Sequence, residues 1–508
     1  MEAALPVGHS RFTFLLGAAT NWFAFAATLA VSFFLTPYLI ASLGKPQYDV
    51  WCVVESVLTY FTLLDLGVAA CLVRAIAGHT SKPDAERVNR VSSCCLAVLS
   101  AAGVVAFVIG APVLWMLGEK LEAKAGDPGD VFPFMLLMLL NLAFTLPLST
   151  FPCILDGLQR FTIKSIIRIV GLTFRTVGFL IVVDRWHSLF PLAVVSLVTN
   201  LLEHAAMALF SFRTLPELHL RTRHIDRVTL RTVRTSSTDA FLAMLAGRIT
   251  VQTGAIVIGL LLPAGQVTFF ATAARLVEYA KSLLRTITST LMPGVAAMDA
   301  RGDREGIRKL YLKATRWLLY FVLPVQIGLL QFGAAFLKRW VGEDFVTGAY
   351  PTLVILSFTL TIGVAQSVAS RLLYGLGKLR WFARAALGEA ALNLILMYAL
   401  IQYHGVEGVA FAVAVPNVLF CVFVLEYTRR QLGVSCKSYG KALLAPLVAS
   451  VLPTAIWLSM GEPDATWPGI VAGVLAGLIP YALAVGLWEA KLNRVSYGLG
   501  PAGRFSFK

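Results

Sequence analysis

The stretch DAFLAMLAGRITVQTGAIVIGLLL (239–262) is long and apolar enough to cross a bilayer, yet it holds Arg248 well inside it. An α-helix rising 1.5 Å per residue needs about 20 residues to span a hydrocarbon core of about 30 Å. The run that follows, VTFFATAARLVEYAKSLL (267–284), repeats the pattern with Arg275. Lipid supplies no counter-charge, so a cation kept at such depth faces a partner or a watery cavity. These two segments decide the class: an all-helical membrane protein with a cationic interior.

The rest of the chain has the same character. The 508 residues are 57% hydrophobic and 14% charged, with a mean hydropathy of +0.75. A soluble protein of this size has no way to cover that much apolar side chain. Apolar runs fall near 12–42, 47–76, 89–117, 132–156, 161–184, 188–212 and 236–262, then near 266–297, 314–337, 349–375, 380–402, 406–428, 442–460 and 467–489. That makes about fourteen transmembrane helices. Period-two alternation is absent, which excludes a β-barrel.

Loop charges set the orientation. Arg74, Arg87, Arg90, Arg160, Arg213, Arg221, Arg301, Arg308, Lys378, Arg429 and Lys441 fall in alternate connections. The other set is sparse, with Lys45, Lys120, Lys124, Arg185, Lys338 and Arg339. Cytoplasmic loops carry the excess of Lys and Arg, which puts both termini in the cytoplasm. The formal charge of +15 is thus spent on topology, and no nucleic-acid face is expected. The seven cysteines lie mostly in apolar runs without C-x-x-C spacing and read as reduced packing residues. No cofactor or metal site is expected.

Five regions follow: a six-helix bundle over 1–214, a basic cytoplasmic linker over 215–235, a second six-helix bundle over 236–431, two extra helices over 432–490 and a cytoplasmic tail over 491–508. TPYLIASLGKPQYDVWCVVESVLTYF (36–61) is echoed by AIVIGLLLPAGQVTFFATAARLVEYA (255–280). Each is an outward helix, a short Gly/Pro turn and a return helix, and transporters build midplane sites from such repeats.

The candidate cationic cavity comprises Arg248, Arg275, Arg175, Lys281 and Arg285. Arginine stays charged and its planar fork of donors matches phosphate oxygens. Arg168 lies on the same face as Arg175 but close enough to the cytoplasm to snorkel. Glu55, Glu203, Glu278 and Glu389 are candidates for ion coupling or for charge pairs with these bases. Asp65, Asp156 and Asp239, near the cytoplasmic ends, read as caps or salt bridges.

LGKPQYDVW (43–51) and LLDLGVAACLVRAIA (63–77) resemble the first helix pair of bacterial polysaccharide-export, or O-antigen-type, flippases. That family is the polysaccharide transporter branch of the multidrug/oligosaccharidyl-lipid/polysaccharide exporter superfamily. LMPGVAAMDARGDREGIRKLYLKATRW (291–317), LLYGLGKLR (372–380), ALNLIL (391–396) and GVEGVAFAVAV (405–415) resemble its later segments, in order. The resemblance implies two six-helix bundles in a V-shaped arrangement plus two C-terminal helices. It implies transport of an undecaprenyl-pyrophosphate-linked oligosaccharide from the inner to the outer leaflet of the bacterial cytoplasmic (inner) membrane by alternating access. The implied partners are that lipid-linked glycan, membrane lipids, and polysaccharide polymerase or export machinery. Two other readings stand beside it: a membrane-embedded glycan polymerase or ligase, and a small-molecule exporter of the same superfamily. No loop has room for a catalytic domain, and no Walker, zinc or nucleophile-elbow motif occurs.

Overall fold

The computed structural model describes residues 11–497 apart from 66, 82–83, 126–128, 227–228, 231–237, 290 and 462, and these are helical almost throughout. In chain order the helices are α1 (Arg11–Phe61), α2 (Val68–Ser81), α3 (Ala85–Ala125), α4 (Val131–Leu148), α5 (Thr150–Gly157), α6 (Phe161–Trp186), α7 (Leu189–Thr214) and α8 (Thr238–Leu261). Then come α9 (Gln266–Ser289), α10 (Leu291–Ala300), α11 (Arg304–Trp340), α12 (Asp344–Gly348), α13 (Tyr350–Gly375), α14 (Leu379–Gln431), α15 (Cys436–Ser459) and α16 (Trp467–Tyr497). Among the described residues there is no strand.

Among the described residues, eleven helices are long and apolar enough to cross a membrane. Two of them, α1 and α14, are pairs of arms joined at a glycine: Gly44 (φ 78°) and Gly405 (φ 52°) adopt positive φ, where a Cβ is disfavoured. α9 is 24 residues long but carries Arg275, Glu278, Lys281 and Arg285, and it falls outside the eleven for that reason.

The surface is inverted relative to a soluble protein. Phe174 on α6, Phe423 on α14 and Leu487 on α16 are 65%, 65% and 74% exposed, and whole helix faces around them are equally apolar. Only hydrocarbon can cover such bands. Between helices lipid gives no hydrophobic drive, so packing depends on close approach of small residues. Along α3, Ala102, Gly103, Ala106 and Gly110 are buried and form the seam against α4. A Cβ on Gly103 would press into the Ala143 carbonyl oxygen, and one on Gly110 would sit 2.6 Å from Leu139 Cδ1.

The chain divides into two compact units, Met1–Thr268 and Phe269–Lys508. In the first, α1 packs on α6 and α8, α4 on α7, and α2 on α5. The segment expected as a basic linker begins as a strap laid along α3. Asn89 Nδ2 donates to the Glu217 carbonyl (2.9 Å), and the His219 N–H donates to Asn89 Oδ1 (2.7 Å). Leu215 and Leu218 are buried with Val88, Leu99 and Met207. Its residues 227–228 and 231–235 lie outside the described ones.

In the second unit α11 is the hub, packed by α13, α15 and α16. Trp457 is fully buried and donates through Nε1 to the Gly473 carbonyl (2.9 Å), joining α15 to α16. Glu489 accepts from Arg316 Nη2 (3.3 Å) and from the Tyr320 hydroxyl (3.2 Å), joining α16 to α11.

Expected spans 132–156 and 266–297 are each divided between two helices, α4 with α5 and α9 with α10, and one further span is broken outright. The run 47–76 is not a single helix. It stops at Phe61, turns through a 3-10 segment (Thr62–Asp65) and resumes at Val68 as α2. Gly67 takes φ 75°, which no helix interior accommodates, and Asp65 Oδ1 accepts from the Ala69 N–H (3.3 Å) to start the new helix.

Candidate functional site

In the first unit the second arm of α1 runs antiparallel to α8. Val53 packs against Gly259, and the Tyr60 hydroxyl lies 2.5 Å from Thr253 Oγ1. Seven residues forward on α1 thus match six residues back on α8. Both pairs lie on the arm of α1 that leads to the break before α2. The 3-10 segment indeed packs against α8, as well as against α3 and α4.

A broken helix leaves backbone N–H and C=O groups without helical partners. At membrane depth such backbone occurs only where it is buried in protein or lines a watery cavity. Arg248, on α8, is half-buried, and among the described residues it makes no ion pair or hydrogen bond. Asp65 is turned to the Ala69 N–H and does not neutralise it. The break and the Tyr60–Thr253 pair thus both adjoin α8, the helix that carries the uncompensated guanidinium of Arg248.

A second constellation lies between α6 and α7. The Glu203 carboxylate lies over Gly171, where a Cβ would come within 2.8 Å of Oε2. Arg168 and Arg175, one turn to either side of that glycine, are both within electrostatic reach of it. This is a carboxylate seated between two bases. Beside it runs a polar seam: Asn200 Nδ2 donates to Asn141 Oδ1 and Thr145 Oγ1, both at 2.6 Å, between α7 and α4.

The second unit has its own constellation. Lys281 Nζ on α9 donates to Thr359 Oγ1 on α13 (2.8 Å). Glu389, on the first arm of α14, is within electrostatic reach of Lys281 and accepts from Asn417 Nδ2 on the second arm (2.7 Å). Asn393 is buried, and its Nδ2 donates to the Ala412 carbonyl (3.1 Å). A lysine and a carboxylate thus each hold a polar partner, Thr359 and Asn417, across four helical segments, with the Asn393–Ala412 bond joining the two arms of α14 nearby.

The remaining expected residues are dispersed. Arg275 is half-buried on α9, and Lys281 is turned by about 120° from it at 100° per residue, so the two stand at opposite edges of one broad face. Glu278 and Glu55 are exposed. The side chains of Arg285 and Asp239 lie outside the described residues. Asp156 pairs with Lys164 (2.6 Å). No group of three His, Cys, Asp or Glu side chains among the described residues converges as metal ligands, and all seven cysteines are free.

Sequence reading passed over Tyr60, Thr253, Thr359, Asn417 and the Asn141–Asn200 pair. Their signal was an uncharged polar residue within an apolar run, weak because a lone hydroxyl or amide in a helix usually satisfies its own backbone.

Sequence reading also missed a charged clamp at the sparsely charged end of the first unit. Asp49 is 6% exposed. It accepts from the N–H groups of Gly265 (2.6 Å), Val267 (3.3 Å) and Thr268 (2.6 Å), and from Thr268 Oγ1 (2.5 Å). Lys124 Nζ donates to the carbonyls of Gly259 and Leu262, both at 2.7 Å. An acid thus caps the start of α9 and a base caps the end of α8, each matched to the helix dipole. Gly44 and Gly265, at the two turns of the internal echo, both adopt positive φ.

Comparison with known proteins places these features in a family. Residues 17–298 match the family model described as polysaccharide biosynthesis protein. The uncharacterized membrane protein EpsK of Bacillus subtilis (strain 168) is 20% identical over 90% of this chain and 92% of its own length. The probable low-salt glycan biosynthesis flippase Agl15 of Haloferax volcanii is 26% identical over 34% of this chain and 36% of its own. Among solved structures, the lipid II flippase MurJ in an inward closed conformation superposes with a TM-score of 0.72 at 14% identity, covering 94% of this chain and all of that one. An inward-facing multidrug resistance MATE family transporter of the MOP superfamily gives 0.64, also at 14% identity, covering 83% and 98%. At these identities the likeness shows a shared fold.

Proposed function

This chain belongs to the polysaccharide biosynthesis protein family, and from that premise we propose that it is a flippase for a polyprenyl-pyrophosphate-linked oligosaccharide. It moves its cargo from the inner to the outer leaflet of a bacterial cytoplasmic membrane by alternating access, and it is a transporter, not an enzyme. The Haloferax relative is named as a glycan biosynthesis flippase, which supports the cargo class. Fourteen spans are the topology we adopt, with both termini cytoplasmic: the two-armed helices α1 and α14 each cross twice, and α9 crosses despite its charge.

The observation that carries the reading is Arg248, half-buried and without a protein partner among the described residues, on a helix that packs against the interrupted one. Stranding an arginine at the bilayer centre costs about 2.5–3.5 kcal/mol even on the lenient insertion scale. With no acid taking up its charge among the described residues, a transient anion is the partner that offsets the cost. A pyrophosphate linked to a polyprenyl tail is such an anion, and it accepts the bidentate geometry of a guanidinium. Arg275, Arg175, Lys281 and Arg285 are the further cations assigned to the path. Glu203 and Glu389 serve as charge partners for the bases near them, keeping those bases tolerable between transport cycles.

Outward movement of negative charge is favoured by an inside-negative potential, by about 2.3 kcal/mol per charge per 100 mV. Flux therefore follows the membrane potential and survives loss of the pH gradient. The deciding experiment compares wild-type cells with cells carrying Arg248→Ala at matched membrane levels. Inner-leaflet polyprenyl-linked glycan, measured by mass spectrometry, should accumulate as complete repeat units. Normal export with the variant would remove Arg248 from the path. Accumulation at the outer leaflet would assign the protein to polymerisation or ligation instead.

A further inference from the structure

At the basic end of the second unit, the α10–α11 turn, the α13–α14 turn and the end of α14 enclose a cavity of about 220 Å³. Asp299, Arg304, Lys378 and Gln431 line it above Ile307 and Leu432. One wall is fixed, because Arg308 Nε donates to the Leu432 carbonyl and ties the end of α14 to α11.

The basic residues nearby divide into two groups. Lys309 pairs with Glu305 (2.7 Å), and Arg429 and Arg430 share Glu426 (2.7 and 2.5 Å). Arg304 and Lys378, the two cations that line the cavity, have no carboxylate ion pair among the described residues. Lys378 Nζ donates only to the neutral amide of Gln431. With Asp299 as the acid of the lining, the three charged side chains sum to one positive charge. That balance suits a singly charged phosphodiester better than a multiply charged pyrophosphate.

The depth fits as well. Trp381 and Tyr427 stack face to face, with centroids 3.9 Å apart and planes at 5°. Trp and Tyr are enriched at the membrane–water interface. Lys378 lies three residues before this Trp, and Gln431 four residues after this Tyr. The cavity is therefore about one turn, or 5.4 Å, beyond the aromatic pair, at phosphate level. Below it, Leu419, Val422 and Phe423 on the same arm are exposed and offer an apolar track for acyl chains.

We propose that this cavity binds the phosphodiester headgroup of an anionic membrane phospholipid. Basic pockets between helices on this side of a membrane protein hold such headgroups, each Lys or Arg contributing about 1 kcal/mol. The test uses the purified full chain, stripped of lipid in detergent and titrated with phosphatidylglycerol or phosphatidylcholine by native mass spectrometry. Phosphatidylglycerol binding should weaken about fivefold in Arg304→Gln and in Lys378→Gln, and about thirtyfold in the double variant. Arg304→Lys should restore most of the loss. Arg90→Gln, which removes the same charge from a surface pair with Glu86 in the first unit, should leave binding unchanged. Unaltered binding in the double variant, an equal loss in Arg90→Gln, or equal affinity for phosphatidylcholine would each overturn the proposal. So would displacement of the lipid by millimolar inorganic phosphate or pyrophosphate, which would assign the cavity to a soluble phosphoryl anion.

Discussion

Replacing Asp49 by Asn changes one atom type in a nearly sealed cap. The carboxylate accepts four hydrogen bonds, three of them from backbone N–H groups at the start of α9. An amide of the same shape keeps one acceptor. If that oxygen stays with Thr268, the new –NH2 faces the Gly265 N–H, donor against donor. A buried N–H left unpaired costs about 1–3 kcal/mol. Loss of the negative charge at the helix N-terminus adds about 0.3–1 kcal/mol, more where partly buried. The local opening free energy should thus fall by about 2–4 kcal/mol, which raises the open population by about 30- to 900-fold. Hydrogen exchange read by mass spectrometry on a peptide covering residues 259–270 tests this directly. Exchange there should accelerate by that factor, while the α3–α4 hairpin and the Gly405 turn stay at wild-type rates. If residues 265–268 of the Asn variant keep wild-type protection, the carboxylate is not what holds the turn. Acceleration everywhere would mean global destabilisation and would refute the local argument equally.

Three further outcomes are expected. Lys124→Met strips the Gly259 and Leu262 carbonyls of their donor and should cost about 1–3 kcal/mol, seen as faster exchange at the end of α8 with α9 unaffected. Gly103→Ala forces a methyl against backbone, the Ala143 carbonyl, and should destabilise by about 1–3 kcal/mol in detergent unfolding. Gly388→Ala, with nothing within 4 Å of the added methyl, should be neutral or gain up to about 1 kcal/mol, so equal effects at both glycines would discredit the packing argument. Glu489→Ala leaves Arg316 and the Tyr320 hydroxyl without their acceptor and should lower thermal stability by about 1–3 kcal/mol. Adding Arg316→Met should recover the share owed to the stranded guanidinium, with only the Tyr320 hydroxyl then lacking its acceptor, and failure of the double variant to recover any of the loss would refute the pairing.

The membrane-spanning helical class was legible in the sequence because it depends on short-range quantities. Runs of about 20 apolar residues, glycines at 44 and 405, and charge that alternates between loops are each visible without a partner. Arg248, Glu203, Lys281 and Glu389 stood out for the same reason: a charge within an apolar run needs no neighbour to be noticed. The two turns of the internal echo were likewise evident from Gly and Pro alone.

What the sequence left open is which charges meet, since that depends on register between helices far apart in the chain. Asp49 and Gly265 are 216 residues apart, and nothing local to either marks the other. Asp49 drew no reading from sequence, and Lys124 counted only among the few bases of the sparsely charged connections. Only the packing of α1 and α3 against α8 turns them into caps. The same packing decides that the run 47–76 breaks. LLDLG (63–67) is apolar enough to pass as helix, and the break holds because the 3-10 segment is enclosed by α1, α3, α4 and α8. Hydrophobicity along a chain reports how each residue meets lipid, whereas pairing free energies arise between residues that meet only after the helices pack. The sequence by itself determined the all-helical membrane class and singled out the charges within apolar runs, and the tertiary structure determined which charges are paired, which cap a helix, and that Arg248 has no protein partner among the described residues.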